Sequence, residues 1–151
     1  MTAVSSETGA PGAARPSPTR QKRLRFSEFA TSRTPAGNVT CRVTLELGAK
    51  KVAGEATGVA SSAGDTRLGA QAAIAAIETF TNRALTFELN GVRVVRAFDT
   101  NVVIVSVVHH IEGRRERLLG CYLAESDIVR GAALAVLNAT NRLVSSYIVT
   151  R

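Results

Sequence analysis

All four prolines, Pro11, Pro16, Pro18 and Pro35, fall in the first 35 residues of the 151-residue chain. Proline fixes φ and removes a backbone donor, so from Ala36 to Arg151 nothing of this kind forces a break in a helix or strand. The chain therefore reads as a tail followed by one uninterrupted body, with the boundary near Asn38. Charge divides the same way. Residues 1–38 hold six Lys/Arg and two Asp/Glu, and residues 39–151 hold thirteen and ten, so over half of the formal +7 sits in the tail. A body of 113 residues buries roughly two-thirds of its unfolded surface, enough for one core without disulfides or metal.

Residues 1–38 are mostly Ser, Thr, Ala, Gly, Pro and Arg, with Phe26 and Phe29 as the only aromatics. That is too little apolar surface to offset the entropy of ordering. The expectation is a disordered basic tail whose removal to residue 35 leaves the melting temperature nearly unchanged. Leu24, Phe26 and Phe29 leave room for a short docking segment. The cluster Arg20-Gln21-Lys22-Arg23-Leu24-Arg25 is of the kind that meets nucleic acid or an anionic surface.

In the body, Val39, Cys41, Val43, Leu45 and Leu47 alternate with polar residues, the period of a strand with one buried face. Gly48-Ala49-Lys50-Lys51 reads as a hairpin turn into a second strand over 52–61. Asp65 is placed as the cap of a helix over 66–82, along which Ala70, Ala73, Ile74, Ile77 and Phe80 make one apolar stripe. A third strand is expected over 85–98, interrupted at Asn90-Gly91 by a turn or bulge. Val102 to His110 is a β-branched run that suits a central strand. After Glu112-Gly113-Arg114, a strand over 117–125 leads to Ser126 and Asp127, which cap a second helix over 128–144. The class is α+β, a duplicated ββα/βββα unit with an antiparallel sheet and two helices packed on one face.

The duplication is read at an ungapped offset of 62 residues, which places Val43 on Val105, Gly58 on Gly120, Asp65 on Asp127, Gly69 on Gly131, Ala70 on Ala132 and Ala73 on Ala135. These identities fall at a strand glycine, a helix cap and the inner face of a helix.

The stretch Ser126-Asp127-Ile128-Val129-Arg130-Gly131, closing in Asn138-Ala139-Thr140-Asn141-Arg142-Leu143, resembles the last helix of the C-terminal regulatory domain of 2-isopropylmalate synthase. Gly54-Glu55-Ala56-Thr57-Gly58 followed by Gly64-Asp65 is similar to the glycine-rich strand and loop before that family's first regulatory helix. The loop departs from the family pattern: it reads Gly64-Asp65-Thr66-Arg67-Leu68-Gly69-Ala70, without the family's proline. The catalytic barrel and its His-x-His are not in this sequence. The resemblance implies a standalone allosteric, dimerisation-type domain that forms a homodimer and takes an amino-acid-like small molecule at its interface loops.

Residue chemistry points away from catalysis. His109 and His110 are neighbours on a strand, face opposite ways and cannot chelate one ion. Cys41 and Cys121 are single, in no CxxC spacing, and read as small buried hydrophobes. There is no P-loop, GxGxxG or GxSxG, and no metal or cofactor is expected. No apolar run approaches a membrane span, the N-terminus lacks a signal-peptide core, and two cysteines make no disulfide framework. The expected location is the cytoplasm. Free amides at a helix N-terminus favour a carboxylate and a capping aspartate suits an ammonium. The candidate ligand residues are accordingly Gly64, Asp65 and Thr66 at one junction and Ser126, Asp127 and Ile128 at the other. The reading is a non-catalytic homodimeric module that binds a small metabolite or a partner protein. The alternative is a basic-tailed nucleic-acid-binding protein, using Arg20, Lys22, Arg23 and Arg25 with the Arg114, Arg115 and Arg117 turn, and with Phe87 and Tyr122 as stacking rings.

Overall fold

The computed structural model describes residues 23–150. Two βββα units follow each other: β1 (Arg25–Arg33), β2 (Asn38–Leu47), β3 (Lys50–Val59) and α1 (Ser62–Phe80), then β4 (Phe87–Ala97), β5 (Thr100–Ile111), β6 (Arg114–Ala124) and α2 (Ile128–Val149). The class is α+β. The strands form two separate antiparallel sheets, β1-β2-β3 and β4-β5-β6, so β2 and β5 are the central strands.

β1 is the main correction to the sequence reading, because it lies inside the stretch expected to be a disordered tail. It pairs with β2 from Arg25 opposite Glu46 to Arg33 opposite Val39, with a register shift between Phe26 and Glu28. That register sets Phe26 opposite Leu45 and Phe29 opposite Val43, and both rings pack against the core. A segment too polar to fold alone is ordered here by the open hydrogen-bonding edge of β2, which local composition does not register. Residues 1–22 of the expected tail lie outside the described residues.

The alternation in β2 emerges as read. Val39, Cys41, Val43 and Leu45 are fully buried, whereas the opposite face is polar and internally paired. There Thr40 and Thr57 share a hydroxyl hydrogen bond of 2.8 Å, Arg42 donates to Glu55 at 2.7 Å, and Glu46 accepts from Ser27 at 2.7 Å. The interruption in β4 is a bulge, with the β4–β5 register shifting between Leu89 and Gly91. Phe98 and Asp99, both at positive φ, make the tight turn into β5.

The first helix begins a turn earlier than expected. Its N-cap is Ser61, whose hydroxyl accepts from the Gly64 amide at 2.9 Å. Asp65 sits inside the helix and reaches back, its Oδ1 accepting from the Ser61 amide at 3.1 Å. Gly64 and the Ser61-Ser62 pair read locally as loop, and only the cap geometry shows that the turn is already helical. Asp127 is the N-cap of α2 as expected, accepting from the Arg130 amide at 3.0 Å. The helix continues past residue 144 to Val149.

Duplication is visible in the packing, with a different glycine pairing from the ungapped one. Gly54 stands opposite Val43 as Gly120 stands opposite Val105. A Cβ on Gly54 would lie 2.1 Å from the Ala76 nitrogen, and one on Gly120 would lie 2.2 Å from the Ala135 oxygen. Gly120 therefore matches Gly54, not Gly58, because the β5–β6 hairpin is longer than the β2–β3 hairpin.

α1 packs on β2 and β3, reaches β4, and lies along α2, while α2 packs on β5 and β6. The helices cross closely at Gly69, where a Cβ would stand 2.4 Å from the Val129 oxygen. Among the described residues, no helix is long and apolar enough to cross a membrane.

Candidate functional site at the helix N-termini

The two helix starts converge. Gly69 touches Val129 where the helices cross, and the carboxylates of Asp65 and Asp127 both act on the thiol of Cys41. Burial chiefly, and then Asp65, pushes that thiol above its ordinary pKa, against the lowering effect of its hydrogen bond with Thr31. Cys41 is thereby held protonated and poorly nucleophilic.

At the first junction the expected ligand groups are already engaged. Asp65 is only 7% exposed. Its Oδ1 accepts from Ser61 and its Oδ2 accepts from the Arg33 guanidinium at 3.0 Å. Gly64 donates to Ser61, and the Thr66 hydroxyl donates to the Ser62 carbonyl at 3.0 Å. The sequence does not single out Arg33, because the composition of its segment reads as tail.

The second junction is open. Ser126 and Asp127 are exposed and Ile128 is half-buried. With Tyr122, Glu125 and Arg130 around them, Ser126 and Asp127 line a shallow cleft of about 310 Å³, at the lower end of the size range of small-ligand sites. The cleft carries two carboxylates, Glu125 and Asp127, and one guanidinium, Arg130. Arg130 also lies over the Phe26 ring, 5.1 Å from its centre, a cation–π contact that ties β1 to the start of α2. Glu125 and Arg130 flank the capping pair, one before the N-cap and one in the first turn of α2, and these opposite charges on either side of a helix start are the signal that would have singled them out.

The histidines point to opposite faces as expected. His109 is 3% exposed, with Nδ1 3.3 Å from the Thr86 carbonyl and its ring beside Phe87. His110 is exposed and lies 3.2 Å from Glu88. No group of three potential metal ligands occurs among the described residues.

Of the basic cluster, Arg20 and Lys22 lie outside the described residues. Arg23 and Leu24 border a groove of about 480 Å³ along the end of α2, beside Asn141, Val144 and Ile148. Arg25 is paired with Glu46 at 3.4 Å, and Arg115 lies 3.7 Å from Glu88. The two rings considered for base stacking do not present an open face together. Phe87 is 7% exposed, and Tyr122 is on the helix side of its sheet, beside Gly131.

Compared with protein-family models and with curated proteins, the chain matches none.

Proposed function

We propose that the protein is a non-catalytic, self-associating cytoplasmic module, similar in plan to an amino-acid-sensing regulatory domain, that binds a small zwitterionic metabolite at the β6–α2 junction. The observation that supports this most is the mixed charge of the open cleft. Glu125 and Asp127 suit an ammonium group, while Arg130 and the first amides of α2 suit a carboxylate. The first junction lacks that freedom, since Asp65 is held by Arg33 and Ser61; its part is to brace α1. The nucleic-acid alternative ranks lower because Phe87 is buried and Arg25 and Arg115 have carboxylate partners.

A thermal-shift series with leucine, other amino acids and short 2-oxo acids tests the reading. A ligand that binds only the native state adds RT ln(1 + [L]/Kd), about 2.7 kcal/mol at a hundredfold excess over Kd. Asp127→Ala should cost about 1 kcal/mol as a lost cap and also abolish the ligand shift. Arg130→Gln should abolish the shift while leaving the cap in place. No shift with any of these compounds sinks the metabolite reading, and a shift that survives both substitutions moves the site elsewhere.

A further inference from the structure

The two sheets present unlike outer faces. That of the first is polar and cross-paired through Thr40–Thr57, Arg42–Glu55 and Glu46–Ser27. On the second, Gly120 faces α2, so by strand alternation Arg117, Leu119, Cys121 and Leu123 face away from the helices. Leu119 is 67% exposed, Leu123 57% and Val95 37%, and Val102, Ile104 and Ser106 between them are half-buried. The result is a sheet face that is uncharged along its central strand from Val102 to Val108 and apolar at Val95, Leu119 and Leu123, with Glu88, Arg93 and Arg117 on its edge strands.

We propose that this face packs against the same face of a second copy of the chain, about a two-fold axis parallel to β5, so that β6 of each copy lies over β4 of the other. The strand register makes the face self-complementary about that axis. Ser106 stands opposite both Leu119 and Gly91, so the axis carries the projecting Leu119 onto Gly91 of the second copy. At Gly91 there is a hollow of about 320 Å³, bordered by Arg93, Ile104 and Ser106. Beyond its chain neighbours no atom lies within 4 Å of where a Cβ would be, and the Asn90 side chain beside it is held aside by its hydrogen bond to Ser106 at 3.1 Å. Val108 stands opposite both Arg117 and Glu88. The axis therefore brings Arg117, which has no ion pair among the described residues, over the Glu88 carboxylate, whose Oε1 already lies 3.2 Å from His110 and 3.7 Å from Arg115 of its own chain. Val102 likewise stands opposite both Leu123 and Val95, which become an apolar pair. Arg93 and Arg117 lie on opposite edge strands, so neither meets its own copy.

The area is adequate. Three strands of about 11 residues cover roughly 14 by 37 Å, so two copies bury on the order of 1,000 Å², where specific association begins. Aligned packing of two twisted sheets is a standard arrangement. This inference rests on the self-association in the proposed function; Leu123 also borders the ligand cleft, whereas Leu119 lies away from it and reports on the interface alone.

The test uses the full chain and sedimentation velocity. Wild type should be dimeric at tens of micromolar. Leu119→Arg and Leu123→Arg should each weaken association about thirtyfold or more with unchanged circular dichroism. Thr57→Arg, on the outer face of the first sheet, should remain dimeric. In a Cys121→Ser background, Gly91→Cys and Leu119→Cys chains should cross-link on mixing and air oxidation, and Leu119→Cys alone should not. A wild type that is monomeric at about 100 μM overturns self-association and this interface together. A dimer that survives both arginine variants and gives no mixed cross-link overturns the interface and leaves self-association standing.

Discussion

The guanidinium of Arg33, at the end of β1, donates to Asp65 in the first turns of α1 across 3.0 Å. This contact joins the edge strand β1 to the helix whose start it braces. The arginine side chain is 61% exposed and the carboxylate 10%, so solvent screens the pair. Its worth is in satisfying a nearly buried carboxylate that also holds the Ser61 amide.

Removing residues 1–35 should therefore destabilise the domain, where composition alone predicts an unchanged melting temperature. It strips the pairing partner from β2, leaves Val43 and Leu45 without Phe29 and Phe26, and unpairs Asp65. Apolar burial alone sets the loss at about 3 kcal/mol or more, roughly 10 °C or more in Tm. Arg33→Ala by itself should cost about 1 kcal/mol. Differential scanning calorimetry of the two variants checks both; an unchanged Tm in the deletion would show that β1 contributes nothing.

Gly54 and Gly120 are contact points between a strand and a helix backbone, so the methyl group of alanine has no room at either. Gly54→Ala and Gly120→Ala should each destabilise by about 3 kcal/mol, the upper range for overpacking. Gly91→Ala, with open space around it, should be within about 0.5 kcal/mol of wild type. Urea unfolding of the three variants separates the cases, and equal midpoints would refute the close approach.

Glu46 titrates below the ordinary glutamate range, chiefly through the Ser27 hydroxyl, with Lys51 and Arg25 adding to the effect against a partial desolvation penalty. A carboxyl whose folded pKa is lowered stabilises the fold fully above its unfolded value, about 4.3. That stabilisation is lost as pH falls through the folded value. In Ser27→Ala the midpoint should move upward toward the ordinary range. A carbon-detected NMR titration of the side-chain carboxyl reads this directly, and a midpoint unchanged by the substitution would remove Ser27 as the main cause.

Periodicity by itself determined the central strands, because each amino acid carries its own polarity and the alternation of Val39, Cys41, Val43 and Leu45 needs no partner to be read. The bulge at Asn90-Gly91 and the Asp127 cap were equally local, since turn and cap preferences act within four or five residues. Tertiary structure alone decided the rest. β1 exists because an open strand edge offers hydrogen bonds that no local composition records, and Asp65 lies inside a helix because Ser61 satisfies the first amides before it. The pairing of Gly54 with Gly120 depends on hairpin length, which an ungapped comparison cannot see. At the candidate site, the chain order made Asp65 and Asp127 look equivalent. The fold separates them, since Arg33 arrives from the strand beyond β2 to neutralise one, and only the other opens, beside Arg130, to solvent.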